Sequence, residues 1–565
     1  MPSRCLFWCA ALLGGVLMAG CQSRPAHVSK PAGPAAPAAD KDLYAPIDRP
    51  AEKIAQAHAH YAAAVVHEMN EENEAALEDY YKAAADDPRD QDLVLEVSRR
   101  LIQSKQLEKA LELLSRAAAE PDASGAIFAR LGIVYGQLGK LDQAIAAGRT
   151  AIKRSPEELA GYQNLFVSYL QNKQEQDALK VLDEAAKQSS TDANFVITLA
   201  ELYLSYANQV PSQKTKTQAK AAALLGRAEK LALVNPSLRL RLAEAYNALG
   251  NTDKAADLYL ELLKKLPDLP MLRERIHAKL AGIYLRSSDH KRAVEQLEAI
   301  VREDPTNPEA YYYLGYISYT EHKPAEAAEY FAKTIVLNPD FPDPYYELAL
   351  CQTSLDKPDD ALATLEKARK KFPQNYLLEL CTGLAYAKKK EYNHAVEHYT
   401  AAEVIAKATD PSRLDDQFYF QFGATYERLG DYTQAEHYFE KCLQLAPDSA
   451  EAQNYLGYMW AEHDQKLDKA RELIEKAVKS QPKNAAYLDS LGWVLYKLHQ
   501  PREALGYILK AVELTDQPDA TLYDHLGDIY SALDQPEKAR DAWTKSLAVE
   551  PNDQIRKKLE EHGGK

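Results

Sequence analysis

The chain has few of the residues on which catalytic and metal sites depend. Its 565 residues include 23 Gly and 6 Cys, with no Gly-rich phosphate loop, no Ser nucleophile elbow and no paired Cys at zinc spacing. Basic residues are also in the minority, since 68 Lys and Arg face 83 Asp and Glu, a net charge of -15. We therefore predict neither catalysis nor a cofactor, and nucleic acid, which selects clustered basic residues, is not an expected partner.

Long apolar runs are confined to the first twenty residues. Arg4 precedes a run from Leu6 to Met18, which is too short to span a bilayer stably and is typical of a secretion signal. The run continues into LMAGC at 17–21, which resembles the lipobox of bacterial lipoproteins, with Met18 where Leu is usual. We predict a signal peptide over 1–20 and lipidation of Cys21, the alternative being a plain signal peptide with Cys21 as a bystander.

By the same resemblance, Gln22 after this Cys implies sorting to the outer membrane, with the protein facing the periplasm. Residues 21–56 are rich in Ala and Pro and are predicted to form an extended tether, because they carry too few large apolar residues to fold.

Beyond the tether the chain has three cysteines, Cys351, Cys381 and Cys442. An odd number of thiols indicates buried packing rather than a disulfide framework. A bridge between Cys351 and Cys381 stays open.

From residue 57 to 553 the chain repeats one pattern fourteen times with a period of 34 residues. The eleventh copy shows all six positions of the pattern: Gly423, Tyr426, Ala435, Phe439, Cys442 and Pro447. A period of this length predicts stacked helical hairpins, with small residues such as Gly315 and Ala327 where the two helices approach closely. The predicted fold is therefore an all-α solenoid, closed by a final helix and tail over 554–565.

This pattern resembles the tetratricopeptide repeat family. The resemblance implies a right-handed superhelix whose concave side, lined by the first helices of the repeats, binds peptides and protein segments. The last copies, around Trp493, His525 and Trp543, are similar to Gram-negative tetratricopeptide lipoproteins, a group that includes an adaptor of a carboxyl-terminal processing protease. Such a protease and its substrates are therefore candidate partners.

The period is interrupted at three places. About nine extra residues at 208–218 predict a protruding polar loop, a second insertion covers 406–415, and one extra residue near Asp464 lengthens the turn in repeat twelve. Tolerated loop growth is the simpler interpretation of the insertions, and a binding loop is the alternative.

Aromatic residues line one stripe of the first helix in the later repeats. In repeat eight, Tyr312, Tyr316 and Tyr319 share a narrow face at about 100° per residue. Carried through repeats eight to thirteen, this stripe gives the predicted protein-binding set: Tyr312, Tyr316, Tyr319, Tyr346, Leu350, Leu380, Leu384, Phe420, Tyr458, Trp493 and Tyr496. Large aromatic groups of this kind favour an interaction surface, unless neighbouring repeats cover the rings.

One motif points to a different chemistry. His394, Glu397 and His398 match the H-x-x-E-H string of inverted zinc peptidases, but Ala395 is also the Ala that the repeat requires. An ordinary second helix explains these residues, because a catalytic zinc also needs a third ligand and a cavity. No metal is predicted.

The predicted function is a non-catalytic, membrane-tethered scaffold or adaptor that binds protein partners and delivers substrates to a periplasmic protease. The alternatives are an assembly factor for an envelope secretion, pilus or polysaccharide export complex and, through His394, a zinc-dependent envelope hydrolase.

Overall fold

A computed structural model describes residues 49–231, 235–265, 269–515 and 517–561. The predicted signal peptide, Cys21 and most of the predicted tether lie outside these residues. Within the described ranges the secondary structure consists of α-helices and two short 3-10 turns, without strands. The described residues divide into two compact units, one that ends at residue 191 and includes 208–212, and the other of residues 192–207 together with those from 213 onward.

In the first unit the described helices are α1 (Arg49–Met69), α2 (Asn73–Asp86), α3 (Gln91–Gln103), α4 (Leu107–Ala118), α5 (Gly125–Gln137), α6 (Leu141–Arg154), α7 (Leu159–Gln171) and α8 (Glu175–Ala185). Successive helices pack as hairpins, α1 with α2 through α7 with α8. Helix α9 (Ala193–Gln209) begins in the second unit, and its last two residues belong to the first.

In the second unit the further helices are α10 (Lys214–Ala228), α11 (Pro236–Leu249), α12 (Thr252–Lys265), α13 (Pro270–Arg286), α14 (His290–Glu303), α15 (Pro308–Thr320), α16 (Pro324–Leu337), α17 (Asp343–Ser354), α18 (Pro358–Lys371), α19 (Tyr376–Lys388), α20 (Tyr392–Thr409), α21 (Asp416–Leu429), α22 (Tyr432–Leu445), α23 (Ala450–Glu462), α24 (Leu467–Ser480), α25 (Ala485–Lys497), α26 (Pro501–Leu514), α27 (Ala520–Ala532), α28 (Pro536–Val549) and α29 (Asp553–Glu561). From α11 onward the helices again pack in consecutive pairs.

One buried alanine marks each repeat. The second helices of the hairpins carry it at the same position of the pattern, and each is at least 98% buried: Ala76, Ala110, Ala144, Ala178, Ala221, Ala255, Ala293, Ala327, Ala361, Ala395, Ala435, Ala470, Ala504 and Ala539. A methyl group at this position lets the paired helices approach closely and interlock their side chains. The predicted all-α solenoid of helical hairpins is confirmed.

The glycines of the first helices serve the same close approach. A Cβ added at Gly315 would lie 2.8 Å from the ring of Phe331 on the paired helix, and one at Gly423 would lie 2.9 Å from Phe439. Distances this short force the helices apart, so only glycine allows the large ring to fill the space between them.

The turn inside each hairpin, except that of α9 and α10, contains a left-handed residue. Gly139, Gly250 and Gly430 have positive φ angles of 73°, 90° and 86°, a conformation that glycine adopts without a steric penalty. In repeat twelve two residues of one turn, Asp464 and Lys466, both have positive φ. The predicted extra residue in this turn therefore appears as a second left-handed position.

The prediction of a protruding loop at 208–218 is wrong. Helix α9 continues to Gln209, a 3-10 turn spans Pro211–Gln213, and α10 starts at Lys214. The insertion at 406–415 behaves alike, because α20 extends to Thr409 and a 3-10 turn spans Pro411–Arg413. The hydroxyl of Tyr376 donates to the carbonyl of Arg413 at 2.9 Å. Added residues extend helices here because each extra turn satisfies its own backbone hydrogen bonds.

Three further findings bear on the sequence predictions. Cys351, Cys381 and Cys442 are free thiols and buried, so the bridge left open between Cys351 and Cys381 is absent. None of the described helices combines the length and the apolar composition needed to cross a bilayer. Helix α29 lies where a final helix is predicted, and its Ile555 packs into a cluster with Trp543.

Candidate protein-binding cavity

A cavity of about 560 Å³ opens across four successive first helices near the end of the second unit. We call it the C-terminal cavity. Helices α21, α23, α25 and α27 contact one another in this order and supply most of its wall. The lining residues are Glu427, Arg428, Asn454, Tyr455, Tyr458, Met459, Ala485, Ala486, Asp489, Ser490, Thr515, Asp519, Thr521 and Leu522.

The repeat pattern determines which side chains line this cavity. Asn454 lies three residues before Gly457 in α23, and Asp489 lies three residues before Gly492 in α25. The two glycines pack against the second helices of their own repeats, because a Cβ on either would clash with Ile474 or Ile508. Residues three positions earlier point about 60° round the helix from the glycine, beside the packed surface. Equivalent positions of neighbouring repeats therefore form one continuous wall.

Two side-chain acceptors in this wall have no hydrogen-bond partner. Among the described residues six buried side-chain polar atoms lack a partner, and two of them, Glu427 Oε2 and Asn454 Oδ1, belong to residues that line the cavity. Asn454 is only 8% exposed. Glu427 Oε2 lies 3.4 Å from Arg428 Nε without hydrogen-bond geometry. Since buried polar groups are nearly always satisfied, unpaired acceptors in a cavity wall favour a site that receives donors from a ligand.

An aromatic and charged cluster lies next to the cavity. The imidazole of His525 stacks on Trp493 with centroids 4.0 Å apart and planes 15° apart, and Trp493 in turn stacks on Tyr496. His525 Nδ1 lies 2.9 Å from the Asp489 carboxylate. Burial lowers the pKa of His525, but the charge and hydrogen bond of Asp489 outweigh it and raise the pKa above the ordinary value. Asp489 is therefore held in place by the imidazole of His525 from the next repeat.

Tyr458 is the predicted site residue that lines the C-terminal cavity. Burial, followed by the charge of Glu462, raises the pKa of its phenol, so it is a neutral hydrogen-bonding group at physiological pH. Tyr496 lies near the cavity through its stacking on Trp493. The remaining predicted residues do not reach this cavity: Tyr312, Tyr316, Tyr319, Tyr346, Leu350, Leu380, Leu384, Phe420 and Trp493.

The prediction that the whole aromatic stripe is open is wrong for three of its rings. Tyr346, Phe420 and Trp493 are buried by the packing of the repeats themselves. Phe420 contacts Phe439 and Tyr455, and the hydroxyl of Tyr346 accepts from Asn375. A ring on the predicted stripe is covered wherever the next repeat supplies a side chain large enough to pack over it.

The rings of repeat eight lie elsewhere in the second unit. Tyr312 is partly buried against Phe331 and Phe341, at centroid distances of 5.8 and 4.8 Å. Tyr319 and the leucines Leu350, Leu380 and Leu384 are half-buried. Tyr316 is the ring of the predicted set that is clearly exposed, at 37%. Whether any of these residues binds a partner stays a prediction.

Several cavity residues were not predicted. Asn454, Asp489 and Glu427 are polar, and a search for aromatic side chains passes over them. The available signal was their position in the repeat, since Asn454 and Asp489 occupy the place that Tyr312 holds in repeat eight. Comparing that place across repeats would have pointed to polar groups in repeats twelve and thirteen.

The H-x-x-E-H residues take part in ordinary packing. His398 Nδ1 lies 2.5 Å from the buried carboxylate of Glu379, and His394 Nδ1 lies 3.1 Å from Glu391. Burial raises the pKa of Glu379, but its contacts with His398 and Arg369 lower it to about 2. No cluster of three or more His, Cys, Asp or Glu in the described part of the chain has a geometry suited to a metal ion.

Family models of the tetratricopeptide repeat match more than half of the chain. The matched residues are 129–193, 219–270, 279–342, 318–382, 420–485 and 520–553. The matched residues lie in both compact units and include α23, α27 and most of α21 of the C-terminal cavity.

Two curated relatives are subunits of the anaphase-promoting complex. Subunit 6 of Arabidopsis thaliana is 23% identical over 361 residues, which is 63% of this chain and 64% of that protein. Subunit 3 of Schizosaccharomyces pombe is 23% identical over 187 residues, 33% of this chain and 27% of that protein. The chain thus spans less than two thirds of the length of either relative.

Among solved structures, the chain is similar to the Cut9–Hcn1 hetero-tetramer of the same complex. The identity is 16%, the TM-score is 0.40, and the likeness covers 82% of this chain and 94% of that one. The sequence pattern, the hairpins and the matched models agree, so this chain belongs to the tetratricopeptide repeat family of protein-binding helical scaffolds.

Proposed function

We propose that this protein is a non-catalytic, membrane-tethered scaffold that binds a segment of another protein in the C-terminal cavity. The observation that carries the proposal is that two acceptors in the cavity wall have no hydrogen-bond partner: Asn454 Oδ1, and Glu427 Oε2, whose contact with Arg428 is an ion pair only. A peptide backbone or a polar side chain supplies the N–H donors that such acceptors require. The half-buried phenol of Tyr458 adds apolar contact area with a polar tip.

The tether and the location rest on the sequence. A lipidated Cys21 would anchor the chain in the outer membrane, with residues 21–56 as a spacer that leaves the repeats in the periplasm. Anchoring raises the local concentration of whatever the repeats bind. Together with the likeness to tetratricopeptide lipoproteins, this supports an adaptor that delivers substrates to a carboxyl-terminal processing protease.

Site-specific cross-linking in intact cells tests protein binding at the cavity. A photoreactive p-benzoylphenylalanine replaces Ala486, which lines the cavity and is exposed. The matched control replaces Lys483, which is exposed in the preceding loop and does not line the cavity. We expect protein adducts from position 486 that are absent from position 483, with a processing protease or its substrates among those identified by mass spectrometry.

Identical adducts at both positions, or none at 486, would contradict binding in the cavity.

The tether is tested separately by replacing Cys21 with Ser. We expect the acyl modification at residue 21 to disappear and the protein to leave the outer-membrane fraction. Unchanged fractionation of Cys21→Ser would contradict lipid anchoring and leave the cavity result unaffected.

A further inference from the structure

The charges around the C-terminal cavity are mostly negative. Glu427, Asp489 and Asp519 line it, and Arg428 is the one lining residue with a permanent positive charge. Arg428 Nε lies 3.4 Å from Glu427 Oε2, but Arg428 is 60% exposed, so water screens this ion pair. Asp489 also contacts His525 Nδ1, at 2.9 Å. Glu462, next to Tyr458, adds a fourth carboxylate near the wall. A cavity with this balance repels acidic segments and attracts basic ones.

The acceptors of the wall that lack hydrogen-bond partners also favour a basic ligand. Asn454 Oδ1 and Glu427 Oε2 are both acceptors, so each is satisfied by an N–H donor and by no carboxylate. Lysine and arginine side chains carry three and five N–H donors together with a positive charge. Charge sign and hydrogen-bond polarity therefore point to one class of ligand.

A lysine of the chain itself binds carboxylates at the equivalent position of the last repeat. On α27, Asp524 lies three residues before Gly527, the same place in the repeat as Asp489 and Asn454 in the two preceding repeats. Lys558 from α29 lies with its Nζ 2.8 Å from Asp524 Oδ1 and 2.7 Å from Asp528 Oδ1. Burial lowers the pKa of Lys558, yet the two carboxylates outweigh it and raise the pKa above its ordinary value.

We propose that the C-terminal cavity selects an extended segment that carries lysine or arginine. This inference rests on the proposed function and specifies its ligand. One cationic side chain lies among the carboxylates of Glu427 and Asp489, as Lys558 does between Asp524 and Asp528, and a donor N–H reaches Asn454 Oδ1. First helices about 10 Å apart make the four-helix wall about 30 Å long, which an extended segment of roughly nine residues spans.

Fluorescence anisotropy with three synthetic peptides tests the proposal on the full-length protein in detergent. Each fluorescein-labelled peptide has roughly nine residues and the same Ala and Ser background, with three positions occupied by Lys, by Gln or by Glu. We expect the Lys peptide to bind at least about tenfold more tightly than the Glu peptide, with the difference shrinking as salt rises. Equal affinities, or no measurable binding of the Lys peptide, would overturn the inference.

Variants place the binding in the cavity. Glu427→Gln should weaken binding of the Lys peptide about three- to fivefold. Glu472→Gln makes the same charge change on an exposed residue of α24 outside the cavity and should leave affinity unaltered. Asn454→Leu should weaken binding about fivefold through loss of an acceptor. Because Asn454 is buried, circular dichroism is used to check that the Asn454→Leu variant still folds. Glu427 is partly exposed, so Glu427→Gln tests binding in the cavity without that concern.

The failures of the two proposals are distinguishable. Equal effects of Glu427→Gln and Glu472→Gln would show that only the overall charge attracts the peptide, which overturns selection by the cavity. Protein adducts from position 486, combined with equal affinities for the three peptides, would support a protein-binding cavity and overturn its preference for basic segments.

Discussion

Tyr316 in repeat eight and Trp493 in repeat thirteen occupy the same place, directly after the glycine of their first helices. Tyr316 is 37% exposed, whereas Trp493 is 7% exposed. The difference comes from the following repeat. His525 stacks on Trp493, and the equivalent residue after Tyr316 is Glu347, which has no ring to stack. Exposure of a ring in this solenoid is thus decided by a side chain one repeat further along the chain.

The residues at this equivalent position, His525 and Glu347, also differ in how their charges are stabilised. His525 Nδ1 lies 2.9 Å from the Asp489 carboxylate of the preceding repeat, which holds the imidazole in place. Burial, followed by the charge of Asp343, raises the pKa of Glu347 to about 7. Repeat fourteen therefore uses this position to cover the ring of Trp493, and repeat nine leaves a carboxylate there that is costly to ionise.

The largest expected effect comes from removing the two rings. Trp493→Ala should destabilise α25 and α27 by about 3–5 kcal/mol, because it leaves a cavity beneath His525. Tyr316→Ala should cost less than about 1 kcal/mol, because its ring already contacts water. Hydrogen exchange of the amides in each helix measures these free energies locally, as a repeat protein requires. Equal losses of free energy in the two variants would contradict the conclusion that only Trp493 is covered by the next repeat.

Replacing the stacked imidazole should have a smaller effect that depends on pH. His525→Gln should destabilise the last repeats by about 2 kcal/mol at pH 6, where the charged imidazole is bound to Asp489. The folded-state pKa of His525 lies above its ordinary value, so this stabilisation is present at low pH and is lost as the pH rises through the folded-state pKa.

Thermal melts of both proteins between pH 5 and 9 would follow that difference. We expect it to shrink toward high pH. A difference that grows with pH would show that the Asp489 carboxylate does not hold the charged form of His525.

The smallest effect is expected in repeat nine. Glu347→Gln should stabilise the protein by about 1 kcal/mol at pH 8 and leave stability unaltered at pH 4. The reason is that the folded-state pKa of Glu347, about 7, lies above the ordinary value of 4.5, so ionisation costs stability as pH rises from 4.5 through 7. Chemical denaturation at the two pH values measures the change, and stabilisation confined to pH 4 would contradict it.

The fold was predictable because its determinants are local and repeated. Each buried alanine and each small residue of a first helix, such as Gly315, can be identified from spacing alone. The insertion at 208–218 was not predicted correctly, because its polar composition suits either a loop or an exposed helix face. Helix α9 continues through its start, where intrahelical hydrogen bonds satisfy the added backbone.

The candidate site was predictable only in part. Tyr458 was found because it is aromatic, but Asn454 and Asp489 line the same cavity through polar groups. Burial of Trp493 depends on His525, a contact between two repeats that a helical stripe within one repeat does not reveal. Periodicity therefore gave the positions that are predicted to face a partner, and contacts between successive repeats determined which of them are open.

Three thiols lie in repeats nine, ten and eleven, and their reactivity can report local unfolding of the solenoid. Cys351, Cys381 and Cys442 are each at least 99% buried. Burial raises the pKa of Cys351 and of Cys442 to about 12, and raises that of Cys381 as well, so the reactive thiolate is scarce in the folded state. Alkylating reagents would reach these sulfurs only when a repeat unfolds, so the labelling rate of each would report how often its own section of the array comes apart.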